Sequence, residues 1–225
     1  MSDRVAGAWA QAAETDNKNE KGTGLHYDAT LRDHGLPHDP FKALVAPRPI
    51  GWIGTLDAEG RANLAPYSFF NAVGDRPPLV MFSSAGFKHS QANVEATGEF
   101  TCSLANWDLR EAMNQTSAPL PPGIDEFEYA GLEKAPSRFV KPPRVAGAPA
   151  ALECRLWKTV TLPAEPGAVT HTLIIGQVVG IYIADQFIDA NGQVDTGAMR
   201  PIARMGYRDY AVVTPETTFA MTRPR

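Results

Sequence analysis

The 225-residue chain is 44% hydrophobic and 20% charged, an ordinary globular composition with enough length for one large domain or two small ones. A formal net charge of -4, with no cluster of Lys and Arg interleaved with aromatics, argues against nucleic acid as a partner. No uncharged apolar run reaches membrane-spanning length and the first residues lack the basic start and apolar core of a signal peptide, so no membrane association and a cytoplasmic location are expected.

Residues 1–24 are polar and alanine-rich and read as a mobile N-terminal arm ahead of one domain over 25–225. His26, His34 and His38 follow at irregular spacing without a carboxylate or cysteine cluster, which fits solvated or capping histidines better than metal ligands. Phe41 opens a helical turn or two, and Ala46-Pro47-Arg48-Pro49 forces an extended crossing because each proline fixes its own dihedral and restricts its predecessor. Residues 50–56 then read as a strand, 57–60 as a tight turn and 61–65 as the returning partner of a β-hairpin. The stretch 66–73 mixes aromatic bulk with Ser68 and Asn71, consistent with an edge strand or with a binding strand.

A turn at 74–78 leads to a buried strand at 79–82 and then to a polar loop holding Ser83, Ser84, Gly86 and Lys88. Hydroxyls, a glycine that admits close backbone approach and a cation ahead of a helix make an anion cradle, with phosphate the natural guest; an ordinary strand-to-helix connection has the same composition. Ser90 is the expected N-cap, 91–96 the helix and Gly98 its stop, after which 100–104 restores strand alternation.

Residues 106–149 differ in kind. A helix over 108–115, capped by Asp108, precedes a proline-rich excursion that carries the acidic, aromatic patch 125–129, read as a solvated face. Strands are expected at 151–162, 170–183 and 202–205, with a turn at 189–192 and a bulge at a glycine of the long second run. Cys102 and Cys154 lie within strand runs and read as buried free thiols. No helix alternates with these strands at βαβ spacing, so the expected fold is mainly β: a closed antiparallel Greek-key-type barrel with peripheral α-helices.

Familiar catalytic signatures for hydrolases, nucleotide-binding loops and zinc peptidases do not occur, so an enzyme of this sequence would rely on a bound cofactor. Pro47-Arg48-Pro49-Ile50-Gly51-Trp52-Ile53, the run from Asn63 to Asn71, Phe82-Ser83-Ser84 with Lys88-His89-Ser90-Gln91-Ala92-Asn93 and Thr97-Gly98-Glu99-Phe100, and the run from Arg204 to Tyr210 follow in order. Together they resemble the flavin reductase-like family of FMN-binding split-barrel proteins.

The resemblance implies FMN, with its phosphate held by Ser83, Ser84, Lys88 and Ser90, and with His89 standing where the family commonly has Asp. It implies that Ala65, Tyr67, Ser68, Phe69 and Asn71 flank the flavin ring, that Arg48 and Trp52 join from the preceding strand, and that Arg204, Gly206 and Tyr207 close the site from the second subunit of a homodimer. NADH or NADPH would donate a hydride to FMN, which needs orientation more than an acid or base. His171 is the one candidate near the nicotinamide, with a surface histidine as the alternative. A partner monooxygenase would use the reduced flavin; an FMN carrier without turnover, or an FMN enzyme acting on another small substrate over a pocket wall from 106–149, are the alternatives.

Overall fold

Asp57 makes the first hairpin turn where the sequence predicts. Its carboxylate accepts the amides of Glu59 (3.0 Å) and Arg61 (2.8 Å), and Gly60 takes the left-handed φ of 83° that a side chain would resist. The computed structural model describes residues 24–121 and 123–224, so the expected mobile arm lies outside the described residues except for Gly24. The chain divides into two compact units, Met1–Pro40 and Phe41–Arg225.

In the first unit, Asp28 Oδ1 accepts the Thr30 amide (2.7 Å) and hydroxyl (2.6 Å), and His34 Nδ1 accepts the Leu36 amide (3.0 Å). His34 is thus a local cap, its ring edge-on to Tyr27.

The second unit is mainly β. In chain order it comprises α1 (Phe41–Leu44), β1 (Arg48–Pro49), β2 (Gly51–Leu56), β3 (Ala62–Tyr67), β4 (Phe70–Asp75), β5 (Pro78–Ala85), α2 (His89–Thr97) and β6 (Glu99–Leu104). There follow α3 (Arg110–Gln115), α4 (Glu126–Tyr129), β7 (Lys134–Ala135), β8 (Arg144–Val145), β9 (Ala150–Thr161), β10 (His171–Ile183), α5 (Thr196–Met199), β11 (Ile202–Arg204) and β12 (Tyr210–Val212). A seven-stranded antiparallel sheet runs β3-β2-β6-β9-β10-β5-β4, beside a three-stranded sheet β1-β11-β12. Of the membrane, the structure says only that no helix among the described residues is long and apolar enough to cross one.

The expected closed ring of ladders is not what the hydrogen bonds make. Among the described residues, β3 and β4 stand at the two ends of the strand order with no ladder between them. Pro66 removes a donor from β3, and the Leu64 amide is taken by the Glu126 carboxylate (2.9 Å) rather than by a strand. Nor is 66–73 one strand: Ser68 and Phe69 interrupt it, and Phe69 O accepts the Ser83 amide (2.9 Å) as the chain crosses to β4.

Alternation sorts the β2 side chains onto two cores. Ile53 joins Phe82, Phe100, Val94, Cys154 and Ile174 in the interior of the large sheet, while Trp52 joins Leu64, Met113, Phe127 and Val145 beneath the 106–149 excursion. Each such large side chain contributes about 1.5–3 kcal/mol by leaving water. β10 shows the predicted irregularity at its glycines, with register shifts against β9 at Ile175/Gly176 and Val178/Gly180. Packing requires the glycine at 176: a Cβ there would stand 2.5 Å from Phe100 Cε1. Both cysteines are buried free thiols.

Three local expectations are corrected. Lys88, not Ser90, is the N-cap of α2, and Ser90 instead uses its Oγ to accept from Asn63 Nδ2 (3.0 Å); Gly98 does end the helix, at φ 75°. Asp108 does not cap α3: Asn106 Oδ1 accepts the Leu109 amide (3.1 Å), and Asp108 pairs with Arg200. The 125–129 patch is not a solvated face, because Glu126 and Phe127 are buried and only its remaining charges look outward.

Candidate functional site

The ends of β3 and β5 and the start of α2 converge on one cavity of about 610 Å³, within the size range of small-molecule and cofactor sites. Its floor and one wall come from Asn63, Ala65, Pro66, Tyr67, Ser68 and Phe69. Ser83 and Ala85 come from the end of β5, Phe87, Lys88, His89 and Ser90 from the loop into α2, and Thr116–Leu120 and Glu126 from the excursion, with Lys42 and His171 completing the rim.

The loop after β5 is shaped by its own backbone. Gly86 sits at φ 74°, its amide donates to Thr170 O (2.9 Å) and its carbonyl accepts from Ser84 Oγ (2.9 Å). The chain then enters α2 at Lys88 in an extended conformation with no side-chain cap, and the first helical bond is Ala92 N to Lys88 O. The amides of the helix's first turn therefore precede its internal bonding, beside Lys88, His89 and Ser90 in the cavity wall. The result is a set of donors and cations suited to an anion.

Opposite charges are scarce in the cavity. Among the described residues Glu126 is its one acid, and burial raises its carboxyl above the usual range against the Leu64 amide that favours the charged form. Tyr67 is almost fully enclosed, which raises its phenol, while the hydroxyls of Ser90 and Ser84 act in the opposite sense. At the other end, His171 Nδ1 shares a hydrogen bond with Ser83 Oγ (3.1 Å), and its ring lies 5.7 Å from that of Phe69. Lys42 Nζ and Arg48 Cζ lie 5.9 and 6.0 Å from the Phe69 ring centre.

Of the residues singled out from sequence, the structure brings Ala65, Tyr67, Ser68, Phe69, Ser83, Lys88, His89, Ser90 and His171 together around the cavity. The others are employed elsewhere in this chain. Trp52 is fully buried and donates from Nε1 to Thr116 Oγ1 (2.9 Å), and Ser84 is fully buried behind the loop. Asn71 is exposed on β4 and accepts the Ala72 amide (2.9 Å).

Arg48 spends its guanidinium on the carbonyls of Lys42, Val45 and Met205, with Nε buried and without a partner; burial, then the nearby Arg204, lower its pKa. Arg204 binds Tyr210 Oη (2.6 Å) and the Tyr207 carbonyl, Tyr207 sits at φ 52°, and Gly206 packs so closely on α1 that a Cβ would meet Ala43 Cβ at 2.6 Å.

Sequence reasoning missed Lys42, Asn63, Phe87, Thr116–Leu120 and Glu126 as parts of the wall. Asn63 stood inside a quoted run, and the excursion was one expected source of a pocket wall. Glu126 gave no local signal.

The sequence model described as flavin reductase like domain matches residues 44–198. An uncharacterised protein of Deinococcus radiodurans is 38% identical over 203 residues, covering 85% of this chain and 87% of the relative. Among solved structures, nitrilotriacetate monooxygenase component B from Bacillus cereus is 29% identical with a TM-score of 0.78, covering 89% of this chain and 100% of that one. A split-barrel protein of Shewanella frigidimarina, at 22% identity, TM-score 0.72 and coverage of 90% and 99%, speaks for the fold alone. A match across most of the folded unit, with the anion cradle and its neighbouring strand inside it, is decisive: the chain belongs to the flavin reductase-like family.

Proposed function

We propose that the cavity binds FMN and that the protein reduces flavin with a hydride from NADH or NADPH. The observation that carries this reading is the uncapped start of α2, with Lys88, Ser90 and Ser83, opening onto the same cavity as Ala65, Ser68 and Phe69. FMN would supply a ring that accepts a hydride and passes its two electrons on. Lys88, the first-turn amides of α2 and the hydroxyls of Ser83 and Ser90 are the donors for its phosphate, and His89 adds another. Ser68 and the backbone at Ala65–Phe69 orient the polar edge of the ring, while Tyr67 and Phe69 supply apolar surface. His171, tied to Ser83, stands at the rim where a second ligand must enter.

No acid–base pair is required for a hydride transfer that depends on stacking and orientation. We further propose a flavin-binding domain over 25–225 preceded by an arm at 1–24, acting in the cytoplasm. In a homodimer, Arg204, Gly206 and Tyr207 would reach the site of the other subunit, and Arg48, Trp52, Ser84 and Asn71 would support the flavin from behind. The likeness to a monooxygenase component B supports a partner monooxygenase that consumes the reduced flavin.

The test is the absorbance spectrum of the purified protein with FMN, before and after anaerobic NADH or NADPH. Bleaching of a protein-bound flavin is the expected result. A protein that fails to bind FMN at micromolar concentration overturns the reading, and a bound flavin that stays oxidised with both donors makes the protein a carrier.

A further inference from the structure

Glu126 is the cavity's unexplained group. It is 7% exposed, it comes from α4 in the excursion, and Asp125 caps that helix by accepting the Phe127 amide (2.9 Å), so the carboxyl is fixed in the wall rather than swinging in solvent. Its Oε2 accepts the Leu64 amide (2.9 Å), and Asn63, the residue before Leu64 on β3, donates to Ser90 Oγ at the start of α2 (3.0 Å). One short relay thus joins Glu126 to the cradle proposed for phosphate. Among the described residues no cation forms an ion pair with it: Lys134, on the same side of the fold, is held by Asp125 and Glu128.

We propose that Glu126 couples binding of the phosphorylated flavin to uptake of a proton, so that the site prefers FMN over riboflavin by an amount that pH sets. The inference rests on the FMN reading above. A carboxylate and a phosphate in one cavity repel, and protonating the carboxyl removes one of the like charges. Of the charged and ionisable groups around Glu126, Asp125 opposes the ionised carboxyl and His89 at the start of α2 favours it, Tyr67 on β3 feels its charge, Lys88 lines the same cavity, and Glu128 on the same helix is paired with Lys134.

The direction follows from the burial that already raises this carboxyl, which a phosphate would raise further. Below the carboxyl's value in the flavin-free protein it is already neutral and affinity is highest. Above it, each FMN bound must take a proton from solvent, so affinity falls with rising pH until the value in the complex is passed. Riboflavin, with no phosphate, imposes no such requirement.

The test measures FMN and riboflavin affinities by quenching of flavin fluorescence, from mildly acidic to mildly alkaline pH, in the wild-type chain and in Glu126→Gln. Gln keeps an oxygen for the Leu64 amide and cannot ionise. His89 and the phosphate are present in both proteins, so the difference between the two pH profiles reports the Glu126 charge together with its coupling to them. The ratio of FMN to riboflavin affinity should fall with pH about fivefold or more further in the wild type than in the variant.

Calorimetry of FMN binding in buffers of different ionisation enthalpy, with His89→Gln as background and at mildly alkaline pH, where the phosphate has already lost its second proton, should show more proton uptake for FMN than for riboflavin, and it decides the matter if Glu126→Gln does not fold. Equal pH profiles in the two proteins, or no excess uptake with FMN, overturn the coupling. Failure of both flavins to bind overturns the functional reading instead.

Discussion

Thr116→Val exchanges one hydroxyl for a methyl of nearly the same size, and the structure says what that hydroxyl does. It accepts the indole N–H of Trp52 (2.9 Å) and donates to Met113 O (2.7 Å), which ties the end of α3 to the middle of β2. Trp52 is 0% exposed, so its N–H has no water to turn to. A buried donor left without a partner costs about 1–3 kcal/mol. In a chain of this size each kcal/mol lowers the midpoint of thermal unfolding by about 2–4 °C, so a loss of about 2 kcal/mol lowers it by about 4–8 °C.

The control is Trp52→Phe, which removes the donor. In that background Thr116→Val should cost less, by about 1 kcal/mol or more, in a double-mutant cycle read by denaturant unfolding. Equal costs in the two backgrounds would refute the reasoning, because the hydrogen bond would then carry no energy of its own. The same bond anchors residues 116–120 as cavity wall, so FMN affinity should drop with Thr116→Val even at temperatures where the protein is fully folded.

Lys88→Ala should weaken FMN binding about five- to tenfold at low ionic strength, with the gap narrowing as salt is added because Lys88 is exposed; a salt-independent loss in a fluorescence titration contradicts the charge argument. Ser84→Ala should weaken binding indirectly, by releasing the Gly86 carbonyl and loosening the loop, and riboflavin and FMN affinities should therefore respond to different extents if the loop holds the phosphate. Gly176→Ala forces a Cβ toward Phe100 and should cost about 1–3 kcal/mol in thermal or denaturant unfolding, with Phe100→Leu restoring part of the loss. An unchanged midpoint for Gly176→Ala would show that the Phe100 ring gives way without cost.

The strands were legible because they rest on local rules. Asp57 and Gly60 announce the first hairpin, Gly98 ends α2, Asp189 and Gly192 make the predicted turn, and the β-branched run of β10 breaks register at its glycines. Residues on the β3 exit and on the anion loop stood out as hydroxyls and amides following a strand, a pattern that an ordinary connection shares, and it was the family resemblance that singled them out; the structure places most of them on one cavity.

What could not be read was decided by partners far away in sequence. Trp52 in β2 looks like a ligand-facing aromatic until Thr116 meets its indole, 64 positions on. Glu126 looks like part of a solvated acidic patch until the Leu64 amide, 62 positions back, takes its carboxylate. That same contact occupies the edge of β3, so closure of the barrel by a ladder was undone by a residue the strand pattern did not contain.

Arg48 has a bearing on when the pocket comes into being. Its guanidinium gathers the carbonyls of Lys42 and Val45 from the start of the folded unit and that of Met205 from 157 positions later, at 2.9 Å for the last. The guanidinium that holds the Lys42 carbonyl therefore gains its last partner only after residue 205 has left the ribosome. The phosphate loop and β3 are made long before, so an early nascent chain carries half a cradle, and the Arg48 side of it is completed only when the segment around Met205 arrives.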